Sequence, residues 1–535
     1  MRRTKEKYII ALLLSLVPLV GAFLYCLLQG HGIQSLFLPD SNWNDELVYY
    51  KMTEAILDQG YPRGYFGFNE SHAQMLSFAA WSPVILLQWV LWGAIFGWTF
   101  LSPYLSNIVT MGICLFVFAL LVRPSRKQTV WIALMLLAFK PVSRYNLSCV
   151  PEPEMFSLMI LYLGICIHIG REKNHKYPVK RLCALYVIVA LMTLIRPYMI
   201  LLFLTPAVLW MWKLKENKKK TSVAAGIPMA VSFLVAGLVL VLYALIGKYL
   251  SAPYLEPLFS MDWLKGFRDA GFAGGTRQLF AILRKALGEM YGLIKAVLVR
   301  NTYFAAGLYY IHIMAVILLG AVYFIADIRM RKRENSEHTE NSIDYLLLFQ
   351  LLLAGAAFLA ADLLMYRIEP GGRHTLVFIL GLLLLFAVKE ETKTSKKKLS
   401  PALVMLGMTV VLYLFLGRIA YEYDLPYDDG TRKAELTQLA ETLEQTIELT
   451  GEKPSFDNTV IWTFGSENYT FAEYYALPTG SGINLVEQNV VLQKLGQTES
   501  KYIGTAKGSS LEQILSQGNY TFCGGTDRIV FYKIR

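Results

Sequence analysis

The chain is 535 residues long, 55% hydrophobic and only 17% charged, with a mean hydropathy of +0.41, which excludes a soluble enzyme of three or four domains. Its net charge of +11 would suit a nucleic-acid partner if the basic residues were spread evenly. Instead, 26 of the 51 Lys and Arg fall in six short segments, at residues 2–7, 123–127, 171–181, 213–220, 327–340 and 389–398. Each segment abuts an apolar run, which is the positive-inside pattern of a multispanning membrane protein and removes nucleic acid as a partner.

The N-terminal MRRTKEK leads into an apolar stretch at 8–28 of about 20 residues, long enough to span and without a small-residue cleavage site before Gln29, so it reads as a retained first helix. Apolar runs of similar kind follow at 103–122, 129–143, 153–169, 222–247, 303–326, 344–365, 374–389 and 400–419. The stretch 182–212 lies between two basic loops, so it must cross and return, with Arg196-Pro197 near the far turn. That makes eleven spans. The run 79–98 is treated differently. Counted as a span, it would put Arg123, Arg126 and Lys127 outside and invert every later basic loop, so it is expected to lie along or dip into the outer interface.

With that choice the basic loops all face the cytoplasm, and residues 29–102, 144–152, 248–302, 366–373 and 421–535 face outside. The expected fold is an all-α polytopic membrane protein of about 11 transmembrane helices over residues 1–420, followed by a small extracytoplasmic α/β domain over 421–535. In that domain 431–449 reads as an amphipathic helix and 459–464 and 529–534 as strands, while 248–302 reads as interfacial helices. Cys26, Cys114, Cys166 and Cys183 lie inside apolar runs, and no disulfide is expected.

Phosphate-loop, dinucleotide, HExxH and CxxC motifs do not occur in the sequence. The ionisable residues that stand out sit instead at the outer ends of spans. The first outer loop carries Asn44-Asp45-Glu46-Leu47-Val48-Tyr49-Tyr50 at the start of a helical stretch. Carboxylates there complement exposed amide groups, but an adjacent pair above an apolar bundle can also take a proton from an acceptor hydroxyl or hold a cation. A loop running from 29 to 102, with Tyr61, Tyr65, His72 and Trp81, is far longer than a connection needs.

The second outer loop holds Arg144 and then Pro151-Glu152-Pro153-Glu154, where the carboxylates either cap the next helix or serve the site. Arg144 can pair with a carboxylate, reach lipid headgroups or bind a ligand. Arg196, in the middle of an apolar stretch, is costly unless it meets a partner, water or a phosphate. Gly371-Gly372 before Arg373 and His374 would let backbone approach a ligand, or simply make a tight turn with basic residues for headgroups or phosphate.

The Asp-Glu pair in a long first loop, the later acidic site after Ser143-Arg144, the Arg before Pro and the outward C-terminal domain together resemble the GT-C integral-membrane glycosyltransferases, of the protein mannosyltransferase and aminoarabinose transferase type. The most specific piece is the 44–50 motif, and the likeness covers residues 8–215. The resemblance implies transfer of a hexose or pentose, with inversion, from a polyprenyl-phosphate carrier to a glycan, lipid or protein acceptor at the outer face of the plasma membrane. It implies Asp45 as general base, with Glu46 and either Glu152 or Glu154 orienting acceptor or sugar. Arg196 and Arg373 would neutralise the phosphate, and Tyr49, His72, Arg144 and His374 join the substrate-binding set. No cofactor is required; a divalent cation stays open. A transporter or flippase would place its ionisable groups at mid-membrane, and a non-catalytic envelope assembly protein would leave the long first loop unexplained.

The charge pattern makes a direct prediction about topology: in intact cells a Gly451→Cys variant labels with an impermeant thiol reagent, and a Lys218→Cys variant stays protected. Protection at 451 would overturn the assignment of sides.

Overall fold

The structure, a computed structural model, describes residues 2–41, 43–59, 66–68, 82–172, 179–216, 222–250, 262–299, 306–334, 342–389, 400–416, 425–428, 430–448, 459–464, 472–479, 481–498 and 500–535. Among these, eight helices are long and apolar enough to cross a membrane: Lys5–Leu28, Ser102–Val122, Glu152–Arg171, Pro197–Leu214, Gly226–Ile246, Ala306–Arg329, Asp344–Met365 and Ile368–Lys389. They account for eight of the eleven expected crossings. The other three are the shorter helices Arg126–Ala138, Val179–Ile195 and Pro401–Val410, the last continuing as a π-helical turn over Val411–Leu416.

Local sequence explains the breaks. Ser125 opens Arg126–Ala138 with a reciprocal cap to Gln128. Between Val179–Ile195 and the next span, Arg196 is forced extended (φ −138°, ψ 102°) by the proline that follows, and the chain restarts as the 3-10 turn Pro197–Phe203. The run 79–98 yields a 3-10 turn, Pro83–Leu86, and a ten-residue helix, Leu87–Phe96. Together they make an apolar helix over Pro83–Phe96, as long as Pro401–Leu414. Gly97 then turns the chain at φ 85° toward Ser102–Val122.

Leu376–Lys389 is the centre of the bundle, with every residue buried. A helix apolar all round can be accommodated only where other helices surround it, and here it packs on Glu152–Arg171, Arg126–Ala138, Ser342–Met365, Ala306–Glu334 and Pro401–Val410. Its N-terminal end carries Arg373 and His374. The segment 262–298 is helical with a break at Gly271, and large side chains such as Phe272, Phe280 and Tyr291 stand exposed along it, as an interfacial element requires.

Beyond the bundle a six-stranded sheet has the order β1-β3-β2-β4-β6-β5, where β1 is Phe66–Phe68, β2 Thr459–Phe464, β3 Gly482–Glu487, β4 Tyr502–Ala506, β5 Thr521–Gly525 and β6 Ile529–Lys533. The helix expected in this region is Thr431–Thr446. Strands β1 to β4 pair in parallel, and β4, β6 and β5 antiparallel. Ile461, Val486, Ile503, Leu511, Leu515 and Val530 fill the core between sheet and helices. One edge strand, β1, comes from the first long loop and pairs with β3 in the register Phe66↔Ile483, Gly67↔Asn484, Phe68↔Leu485. The loop is joined to the C-terminal region a second time, where Leu36 bridges Tyr427, the Phe37 N–H donates to the Pro426 carbonyl (3.0 Å) and the Asp428 N–H donates to that of Ser35 (2.9 Å).

Candidate active site

The helix Asn44–Gln59 of the first loop starts after Ser41 and places Asp45 and Glu46 in its first turn. Neighbouring residues on a helix point about 100° apart, so the pair divides. Glu46 turns inward and is fully buried; the Asp45 side chain keeps 39% of its surface exposed.

Glu46 is a staple between two loops. One of its carboxylate oxygens accepts from the Ser41 hydroxyl, and the other accepts from the Cys149 N–H at 2.8 Å, in the second outer loop. Burial pushes its carboxyl above the ordinary glutamate range, opposed by the charge of Arg144 and by these two hydrogen bonds. Arg144 is itself buried. Its guanidinium lies 4.7 Å from the Trp43 ring centre and donates to the Leu147 carbonyl at 3.1 Å, so it holds the second loop against the first.

Asp45, Arg373, Glu152 and Arg196 form one alternating chain of charges. Arg373 reaches Asp45 Oδ2 at 3.0 Å through Nη2 and Glu152 Oε1 at 3.6 Å through Nε, and Arg196 reaches the same Glu152 oxygen at 3.1 Å. The four residues come from the loop helix, the start of Glu152–Arg171, the extended residue before Pro197 and the 3-10 turn Gly372–Thr375. Sequence reasoning expected these residues to converge, and the resemblance gave the carrier phosphate as the partner of the two arginines. In the structure both meet carboxylates, because a guanidinium as buried as Arg196, at 1% exposure, requires an opposite charge beside it. Two carboxylates and two guanidiniums leave the group formally neutral.

Tyr49, one turn along from Asp45, is buried beside the same charges. Burial first, and then the Asp45 carboxylate, push its phenol upward, so it stays a protonated hydrogen-bond donor. Glu154 has a buried Oε2 without a hydrogen-bond partner among the described residues, whereas Glu152 joins the charge chain. His374 stands apart from the chain, stacked on Tyr198 at 5.5 Å and flanked by Tyr366 and Phe358. His72 lies outside the described residues.

The glycine pair was expected to open backbone to a ligand or to make a tight turn. A Cβ on Gly371 would fall 2.1 Å from Asp362 Oδ1, and one on Gly372 would fall 3.0 Å from the Ala306 Cα. The glycines therefore let the turn that presents Arg373 press against neighbouring helices. Tyr310 supports it from below, bonded to Asp362 and to the Ile368 carbonyl at 2.7 Å.

Sequence reading missed Ser41, Asp362, Tyr310 and Asn107. Asn107 accepts from Gln88 (2.9 Å) and the Trp89 indole (3.0 Å) and donates to the Ser148 carbonyl (2.8 Å), which ties the 82–98 segment to the second loop. A polar amide in an otherwise apolar span was the available clue for Asn107, as was a carboxylate for Asp362.

No family model matches the chain, and no curated protein matches it either. Among solved structures, it is similar to an oligosaccharyltransferase from Archaeoglobus fulgidus in the apo form, at 12% identity and a TM-score of 0.44, over 92% of this chain and 69% of that one. It is also similar to ArnT from Cupriavidus metallidurans bound to undecaprenyl phosphate, at 12% identity and a TM-score of 0.43, over 98% of this chain and 97% of that one.

The Glu46 staple predicts that shape matters more than charge at this position. In Glu46→Gln the carbonyl still accepts from Cys149 and the amide donates to Ser41, so thermal unfolding in detergent stays close to wild type; Glu46→Ala strands a buried N–H and costs about 1 to 3 kcal/mol. A carboxyl raised in the folded state contributes stability that is lost as pH climbs above its unfolded value of about 4.3. Glu46→Gln therefore gains on wild type as pH rises. A gain on acidification would contradict the assignment.

Proposed function

We propose that this protein is a membrane glycosyltransferase of GT-C type that moves a sugar from a polyprenyl-phosphate carrier to an acceptor hydroxyl, with Asp45 as the general base. The observation that supports this most is the Asp45–Arg373–Glu152–Arg196 chain. It sets one partly open carboxylate beside two guanidiniums, all from separate segments of the fold.

Transfer needs three things from such a site. The acceptor oxygen must lose a proton as it bonds to the anomeric carbon, and Asp45 takes that proton. The bond from the anomeric carbon to the carrier phosphate breaks on the opposite face, which inverts the configuration. The departing phosphate carries the electron pair as a stable anion and requires no general acid, only cations, which Arg373 and Arg196 provide.

The ion pairs give the sequence of events a physical order. An arriving phosphate competes with Asp45 and Glu152 for Arg373, and its oxygens match the planar fork of a guanidinium. Once Arg373 has turned to the phosphate, Asp45 is released to accept a proton. Glu152 stays between the arginines and spaces them, and Tyr49 donates to sugar or phosphate. The distribution of basic loops supports an active face outside the plasma membrane.

Purified enzyme supplied with a lipid-phosphate sugar tests the assignment. Asp45→Asn lowers turnover by about 10² to 10⁴ while carrier binding persists. Arg373→Gln weakens carrier binding roughly ten- to a hundredfold, as loss of one charge-assisted hydrogen bond implies. Near wild-type turnover in Asp45→Asn would reduce this residue to a carboxylate that caps a helix.

A further inference from the structure

A second group of charges, centred on one buried carboxylate, lies away from the site. Glu473, with no exposed surface, accepts at Oε1 from the Thr526 hydroxyl (3.0 Å) and lies 3.5 Å from Arg432 Nη2 and 3.4 Å from Arg528 Nε. The same two arginines reach Asp40 Oδ1, at 3.3 Å and 3.9 Å. Asp40 belongs to the first loop and immediately precedes Ser41, the residue that donates to Glu46.

The short stretch around Glu473 holds the loop at a second place. Tyr475 packs its ring 5.4 Å from that of Tyr50, and the Leu477 carbonyl accepts from the buried Lys51 ammonium at 2.8 Å. Residues 473–477 therefore grip the loop at Asp40 on one side of Asp45 and at Tyr50 and Lys51 on the other. The helix that carries Asp45 is thus held by the C-terminal domain as well as by the second outer loop, whereas Arg196 and Arg373 are fixed by the helices of the bundle.

We propose that the C-terminal domain orients the helix that carries Asp45, and that Glu473 is the positioning residue through which it does so. The idea rests on the transferase reading for its kinetic consequence, and on geometry alone for its structural one. The cluster also accounts for a feature that apolar packing leaves unexplained: neutral side chains would dock the domain, but the buried Glu473 carboxylate with its partly exposed partners specifies one register, because any other would leave that buried charge unpaired.

The test uses the full-length protein in lipid nanodiscs, with Glu473→Gln and, from the opposite side of the contact, Asp40→Asn. Turnover per folded molecule is expected to fall by about ten- to a hundredfold, the cost of misplacing a catalytic group, while KM for the lipid-linked sugar changes less than about twofold because the arginines have not moved. The double variant should be no worse than the poorer single one, since both substitutions act on the same two arginines. Hydrogen exchange is measured alongside and is expected to quicken over 44–59 but not over 102–122. Unchanged exchange over 44–59 in both variants, with loosening only over 459–535, would overturn the proposal. Faster exchange over 44–59 in a parent protein that transfers no sugar would sustain the positioning role and reject the transferase reading.

Discussion

Glu152 lies against two guanidiniums through a single carboxylate oxygen, with Arg196 at 3.1 Å and Arg373 at 3.6 Å. An ion buried in an apolar bundle carries a desolvation cost of several kcal/mol, which only close opposite charges offset. The extended residue before Pro197, the glycine turn before Arg373 and the proline-rich start of the Glu152 helix are all arranged so that these three groups meet. Asp45 joins them from the loop above and is the one member with a large exposed fraction. The site is thus built from a core with one more guanidinium than carboxylate and a single accessible carboxylate that balances it.

The two halves of this arrangement are held by different means. Helices fix the arginines, with the turn before Arg373 pressed onto Asp362 and Tyr310. The loop helix depends on polar contacts with partners remote in sequence, since Glu46 binds the second loop and Lys51 binds the C-terminal region. The surface around Asp45 is therefore shared by the first and second outer loops and the sheet domain.

How much could be read in advance varied with the physics behind each feature. Long apolar runs and basic flanks declare the spans, and Arg196-Pro197 declares a break, because hydropathy and proline sterics act locally. The Asp45-Glu46 pair announced a site but not its division of labour, which depends on which side of one helical turn faces the core. Glu152 and Glu154 were equivalent in the sequence, and only the bundle distinguishes them. Strand β1 gave no readable pattern: three residues are too few for a period, and its partner β3 lies more than four hundred residues away. The pairing of Asp40 with Arg432 joins positions 392 apart and has no local signature at all.

The central claim is that Arg373 exchanges the Asp45 carboxylate for a lipid phosphate that Arg196 also contacts. The most direct measurement is a cryo-electron microscopy structure of the protein with a polyprenyl phosphate bound. The account predicts phosphate density between Arg196 and Arg373, within about 3 Å of both guanidiniums, with Arg373 turned away from Asp45. Density for the phosphate elsewhere, for instance along the basic helix 262–298, with the Asp45–Arg373 pair intact, would contradict it.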